Sequence, residues 1–222
     1  MLDYQKDFIT FALEYKALCF GDFTLKSGRK SPYFFNAGAF NGGEALKKLG
    51  MFYAEALMRS HIEYDLLFGL AYKGIPLATT TAIALLEHGR NVPVAFNRKE
   101  PKLHGEGGEL MGAPLTGRVL IIDDVITAGT AFHEARRLIE KTKAQIIGEL
   151  ILLDRQERGQ DERSAIQALT EDYHLQIISI IECQHLIAYL ETLGENTHLE
   201  RMYRYQEEYG ILRCPYRLKT QN

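Results

Sequence analysis

The sequence holds no tryptophan and only three cysteines, Cys19, Cys183 and Cys214. They are odd in number and far apart, so neither a disulfide framework nor a cysteine-based zinc site is suggested. No apolar run approaches the ~20 residues of a membrane span. The opening Met1-Leu2-Asp3-Tyr4-Gln5-Lys6-Asp7 lacks the apolar core of a signal peptide. Excess charge is missing too. A formal net charge of −3 offers no broad attraction to nucleic acid or to a membrane surface, so basic chemistry must come from local clusters. Repeats and low-complexity tracts are absent. These absences leave a chain suited to a reducing cytoplasm. Its 222 residues, 46% apolar, suffice for one large domain with a sizeable core.

Two familiar phosphate-binding signatures are also missing. No Gly-x-x-x-x-Gly-Lys-Ser/Thr occurs, and no Gly-x-Gly-x-x-Gly follows a strand. In their place stands Arg118-Val119-Leu120-Ile121-Ile122-Asp123-Asp124-Val125-Ile126-Thr127-Ala128-Gly129-Thr130-Ala131. The apolar run reads as a strand buried on both faces. Two carboxylates follow where that strand leaves its sheet. The hydroxyl- and glycine-rich turn then leads into a helix over 131–142, whose N-terminus offers unpaired N–H groups and the positive end of a dipole. Carboxylates beside a phosphate cradle suit a ligand that is both phosphorylated and hydroxylated. A ribose 5-phosphate fits, its phosphate in Thr127–Thr130 and its 2- and 3-hydroxyls on Asp123 and Asp124. The plainer alternative is a buried strand whose acids cap the next helix.

The rest of the chain alternates helical and apolar-strand patterns, which implies parallel strands with helices on both faces. Spacing predicts helices over 4–17, 42–61, 76–88, 184–193 and 198–209, and strands over 64–69, 92–96, 144–153 and 175–181. Residues 20–36 alternate weakly around a Ser-Gly turn and suggest a hairpin outside the main sheet. Within it, Phe34 and Phe35 face opposite ways, and either simply pack or border a flat heterocycle. Lys73 falls at a strand's carboxyl end, where open α/β sheets bind ligands. It is either a solvated loop lysine or a partner for a diphosphate. Arg155 holds the same kind of position, ready to fork onto a carboxylate or to pair with Asp154 or Glu157. Residues 97–112 show no apolar periodicity and carry Arg98, Lys99, Lys102 and His104 ahead of four glycines. They read as a surface insertion or as a lid over the phosphate site.

With those motifs on the page, the chain resembles the type I phosphoribosyltransferases. Thr24-Leu25-Lys26-Ser27-Gly28, Tyr33-Phe34-Phe35-Asn36, Ala71-Tyr72-Lys73-Gly74, the segment Arg98 to Gly105 and Asp154-Arg155 extend the resemblance to the orotate-using branch of that family. The resemblance implies an α/β fold with a central, mainly parallel sheet, helices on both faces and a small N-terminal hood. It makes residues 1–222 a single domain, with 1–40 contributing the hood and 97–112 a flexible catalytic loop. The implied reaction joins orotate and 5-phosphoribosyl 1-diphosphate (PRPP) into orotidine 5-monophosphate and diphosphate, in pyrimidine (UMP) biosynthesis.

By the same resemblance PRPP meets Lys26, Tyr72, Lys73, Arg98, Lys99, Lys102, His104 and the run Asp123, Asp124, Val125, Ile126, Thr127, Ala128, Gly129, Thr130 and Ala131. Orotate meets Phe34, Phe35, Thr127 and Arg155. Lys102 and Asp124 are the implied catalytic pair. Mg²⁺ is the implied cofactor, held by the diphosphate, the ribose hydroxyls and water rather than directly by the protein. A cytoplasmic homodimer with shared active sites is implied, as is a cis peptide bond before Tyr72; neither nucleic acid nor membrane is an expected partner. Two rivals stand beside this reading. A purine phosphoribosyltransferase would share the central motif without needing Arg155 or the lysine loop, and a non-catalytic PRPP sensor would need a nucleic-acid surface that the charge does not offer.

Overall fold

The computed structural model describes residues 1–102, 108–126, 129–159 and 162–211, with the backbone alone for 100–102. Helix α1 (Asp3–Glu14) precedes an antiparallel pair, β1 (Leu18–Thr24) and β2 (Lys30–Phe35). Helix α2 (Gly43–Ser60), strand β3 (Leu66–Gly69) and helix α3 (Gly74–Glu87) follow, then β4 (Val94–Lys102), β5 (Gly108–Gly112) and β6 (Arg118–Ile122). The chain continues through α4 (Thr130–Ile139), β7 (Gln145–Asp154), α5 (Ala165–Tyr173), β8 (Gln176–Glu182), α6 (Cys183–Leu193) and α7 (Asn196–Tyr209). Six strands form one sheet in the order β5-β4-β3-β6-β7-β8. The pairs β3–β4, β3–β6 and β6–β7 are parallel, while β4–β5 is antiparallel.

The apolar run of β6 lies at the centre because it is apolar on both sides. Val119 to Ile122 are all fully buried. Leu66, Phe68, Val119 and Ile121 pack with Phe132, Ala135 and Ile139 of α4 and with Leu169 of α5. The alternate residues Leu67 and Leu120 are buried as well, and α3 packs against β3, β4 and β6. Helices α2 and α3 lie against each other so closely that a Cβ at Gly50 would come within 2.4 Å of the Thr80 carbonyl oxygen.

The chain divides into two units. The sheet unit comprises 40–154 and 166–180. The hood unit gathers 1–39 with the described residues of 155–165 and of the chain from 181 onward. In the hood, α6 packs on α1 and α7, and α7 packs on β2. The 1–40 segment therefore shares its unit with later stretches that the sequence pattern did not assign to it.

Three readings need correction. Residues 97–112 are not one long loop, since β4 runs on to Lys102 and β5 returns beside it, pairing Phe96 with Met111 and Asn97 with Leu110. Edge-strand pairing uses backbone groups and needs no apolar period, so the pattern was silent. Helix α3 begins at Gly74, two residues before the proline. Helix α5 went unread because its core contribution is slight, with only Leu169 buried.

Candidate active site

In the sheet unit, the ends of β3 and β6 are locked together by backbone. A Cβ on Gly74 would sit 2.4 Å from the Ile122 carbonyl oxygen, and one on Gly69 would sit 2.5 Å from that of Gly74. Only glycines permit so close an approach. The turn between β3 and α3 is pinned further: the Gly74 N–H donates to Leu70 O at 2.7 Å, and the Ala71 N–H donates to the buried Asn97 Oδ1 at 2.8 Å. The Ala71–Tyr72 peptide bond is cis, as the resemblance implied. Tyr72 itself is 70% exposed.

This turn carries Lys73 to the end of β6, where its Nζ meets Asp124 Oδ2 at 2.5 Å. Both acids are buried: the Asp124 N–H donates to Asp123 Oδ1 at 2.8 Å, and the Tyr53 hydroxyl of α2 donates to the Asp123 carbonyl at 2.7 Å. Burial first, and then the charge of Asp124, push the Asp123 carboxyl well above the usual carboxylate range, although the Asp124 N–H and Lys73 pull it back. Val125 and Ile126 follow, half-buried. Gly129, at φ 69°, turns the chain into α4 in the left-handed conformation that glycine adopts without strain. Thr130 and Ala131 open that helix, so its first N–H groups lie just beyond the acids in the chain. Thr127, Ala128 and His104 lie outside the described residues, as does the Lys102 side chain.

Lys99 pairs with Glu134 of α4 at 3.5 Å. Arg98 is half-buried, and its Nε has no partner among the described residues.

In the hood unit, Arg155 is set by a cage. Its Nε donates to Glu157 Oε1 at 2.6 Å, and its Nη2 donates to Ser31 Oγ at 3.0 Å and to the Tyr205 hydroxyl at 3.3 Å. The guanidinium lies 4.2 Å from the Tyr33 ring centre. Glu157 also takes Arg29 at 3.1 Å and the Tyr205 hydroxyl at 2.8 Å. Glu157 is one of the two partners that the sequence left open to Arg155. Beside it, burial pushes the Cys183 thiol up to about 12, which makes it an inert packing group rather than a nucleophile. On β2, Phe34 is exposed and stacks on Phe23 at 5.5 Å, while Phe35 turns toward Phe8 of α1. Lys26 is exposed in the β1–β2 turn.

The arrangement thus holds two kinds of recognition group, an acid pair with a lysine and a helix N-terminus in one unit, and a braced guanidinium with an exposed aromatic in the other. Sequence reasoning missed Asn97, Tyr53, Ser31, Tyr205 and Arg29, whose parts depend on partners far along the chain.

Comparison with known proteins gives the family. Residues 37–183 match the family model of the phosphoribosyl transferase domain. The chain is 61% identical over 213 residues to the orotate phosphoribosyltransferase of Klebsiella pneumoniae (strain 342), covering 95% of this chain and 100% of that one. The corresponding protein of Vibrio cholerae serotype O1 is 58% identical over the same shares. Among solved structures, the orotate phosphoribosyltransferase of Francisella tularensis superposes with a TM-score of 0.85 at 40% identity, covering 92% of this chain and 99% of that one.

Proposed function

Because the chain belongs to the phosphoribosyl transferase family, on its orotate phosphoribosyltransferase branch, we propose that it moves ribose 5-phosphate from PRPP to N1 of orotate. The products are orotidine 5-monophosphate and diphosphate, a step of pyrimidine biosynthesis. The observation that best supports the chemistry is the buried acid pair held at the end of β6, with Lys73 at 2.5 Å from Asp124. As the bond from C1 to the diphosphate oxygen loosens, positive charge develops on the ribosyl centre, and these acids offset it. N1 of orotate then closes on C1.

The residue roles follow from charge and shape. Asp123 and Asp124 accept from the ribose hydroxyls, and Asp124 stabilises the cationic ring. The run Val125, Ile126, Thr127, Ala128, Gly129, Thr130 and Ala131 gives its N–H and hydroxyl groups to the 5-phosphate. Tyr72, Lys73, Arg98, Lys99, Lys102 and His104 meet the diphosphate, with Lys102 acting on the leaving oxygen. One cation about 4 Å from a phosphate oxygen gains on the order of 4 kcal/mol at an effective dielectric near 20, so several together matter. Arg155, with Phe34 and Phe35, holds orotate through its carboxylate and its flat ring.

The acids do not offer a free carboxylate cage, since Asp124 is already paired with Lys73. That donor set suits Mg²⁺ arriving on the diphosphate with its waters, where it neutralises the leaving group. Lys26, Arg98, Lys102 and His104 act across a homodimer, and the enzyme works in the cytoplasm. No helix among the described residues is long and apolar enough to cross a membrane.

The test is the absorbance of orotate with PRPP and Mg²⁺ added or withheld. Loss of orotate only with both present is expected. Equal or faster turnover of hypoxanthine or adenine overturns the substrate assignment.

A further inference from the structure

Strand β7 holds a residue that its position does not explain. Glu149 lies in the middle of a buried strand, is 1% exposed, and its Oε2 has no hydrogen-bond partner among the described residues. The neighbours on either side, Gly148 and Leu150, are buried too. An apolar side chain there would carry no desolvation cost, whereas a buried acid with an oxygen left without a partner does. The parallel register sets Glu149 opposite Ile121, two residues before Asp123. The ladder then runs on past β6, with the Asp123 N–H donating to Leu150 O at 3.1 Å and the Leu152 N–H donating to Asp124 O at 2.9 Å. By two-residue alternation, Glu149 and Asp123 fall on the same side of the sheet.

We propose that Glu149 is a positioning residue for the site at Asp123: once ionised, it sets a second buried negative charge beside that carboxyl from the neighbouring strand, and so limits from above the pH range over which the sugar phosphate binds. This rests on the reading of Asp123 as a ribose-hydroxyl acceptor.

Every charged or titratable group that the described residues bring to the pair takes part. Asp123 is faced by Asp124 from its own turn, by Lys73 from the turn before α3, and by Tyr53 from α2. Glu149 is faced by Asp123 and shares the field of Tyr53. Tyr53 spends its proton on the Asp123 carbonyl. Lys73 spends its charge on Asp124. Glu149 Oε2 has no hydrogen-bond partner among the described residues with which to stabilise an anion. Burial, and then the charge of Asp123, push Glu149 up to about 8. Near neutral pH it is therefore an uncharged acid behind the pair. Above about 8 it adds a negative charge directly behind a site that takes a polyanion.

The test compares the full-length chain with Glu149→Gln, which keeps the shape and removes the titration, and with Glu149→Leu as a second variant. PRPP binding in the presence of Mg²⁺ is measured by titration calorimetry between pH 7 and 9. The native chain is expected to lose about fivefold more affinity across that range than either variant. Thermal unfolding gives a readout that needs no substrate. The acid's folded value lies above its unfolded one, so its contribution is present at low pH and is lost as pH rises toward about 8. The Tm advantage of Glu149→Gln should therefore grow between pH 5 and 8. A flat Tm difference, or the same pH dependence of binding in all three chains, overturns the proposal. If the native chain binds no PRPP at any pH, the sugar-phosphate reading falls with it.

Discussion

An arginine that is to grip a flat carboxylate must first be gripped itself. Arg155 is held by Glu157 at 2.6 Å, by Ser31 and by the Tyr205 hydroxyl, with the Tyr33 ring under its plane. Those contacts remove the rotamer freedom that a long side chain otherwise loses on binding. A lysine has neither the planar fork nor the stacking face. Arg155→Lys is therefore expected to raise the KM for orotate at least about tenfold while the KM for PRPP stays within about twofold. An unchanged orotate KM would remove Arg155 from the carboxylate site. At this scale the sequence was half legible. Asp123, Asp124 and Lys73 announce themselves by standing at strand ends, and the structure joins Lys73 to Asp124. Asn97 and Tyr53 gave no such signal, because their partners Ala71 and Asp123 are 26 and 70 residues away in the chain.

At the scale of elements, the fit between β3, α3 and β6 depends on missing side chains. Gly74 has no room for a Cβ, the Ile122 carbonyl oxygen being 2.4 Å from where one would be. Gly74→Ala must push α3 off the end of β6, at a cost of about 2 kcal/mol and about 5 °C in Tm. Activity should fall further than stability, because Lys73 moves with the turn. Gly43→Ala is the control, since nothing lies within 4 Å of its Cβ and its backbone is helical; its Tm should stay level or rise slightly. Equal melting temperatures for the two variants would contradict the close-packed turn. The apolar strands were legible because period and run length speak for themselves. The β4–β5 pairing was not, because Asn97 to Lys102 are polar or charged apart from Pro101 and so show no apolar period.

The whole molecule brings the question of how many chains make one site. If Lys102 serves the partner's site and Arg155 its own, neither Lys102→Ala nor Arg155→Ala is active alone. Mixing the two after denaturation and refolding should then restore about a quarter of native activity. Random pairing makes half the dimers mixed, and each of those carries one intact site. No recovery argues that each site is built from a single chain. The fold class was legible at this scale from alternating patterns. The grouping of the N-terminal 39 residues with the chain from Ile181 onward was not, since no pattern in one stretch names its companion in another.

That grouping has a consequence for synthesis. Chains emerge N-terminus first at about 5–20 residues per second, and domains fold as they emerge. Phe8, Ile9 and Tyr33 leave the ribosome early, yet α6 and α7, which pack on α1 and β2, are translated only after the entire sheet unit. The first helix made is thus among the last to be covered, and a nascent chain halted anywhere before Cys183 displays a greasy surface for chaperones to find.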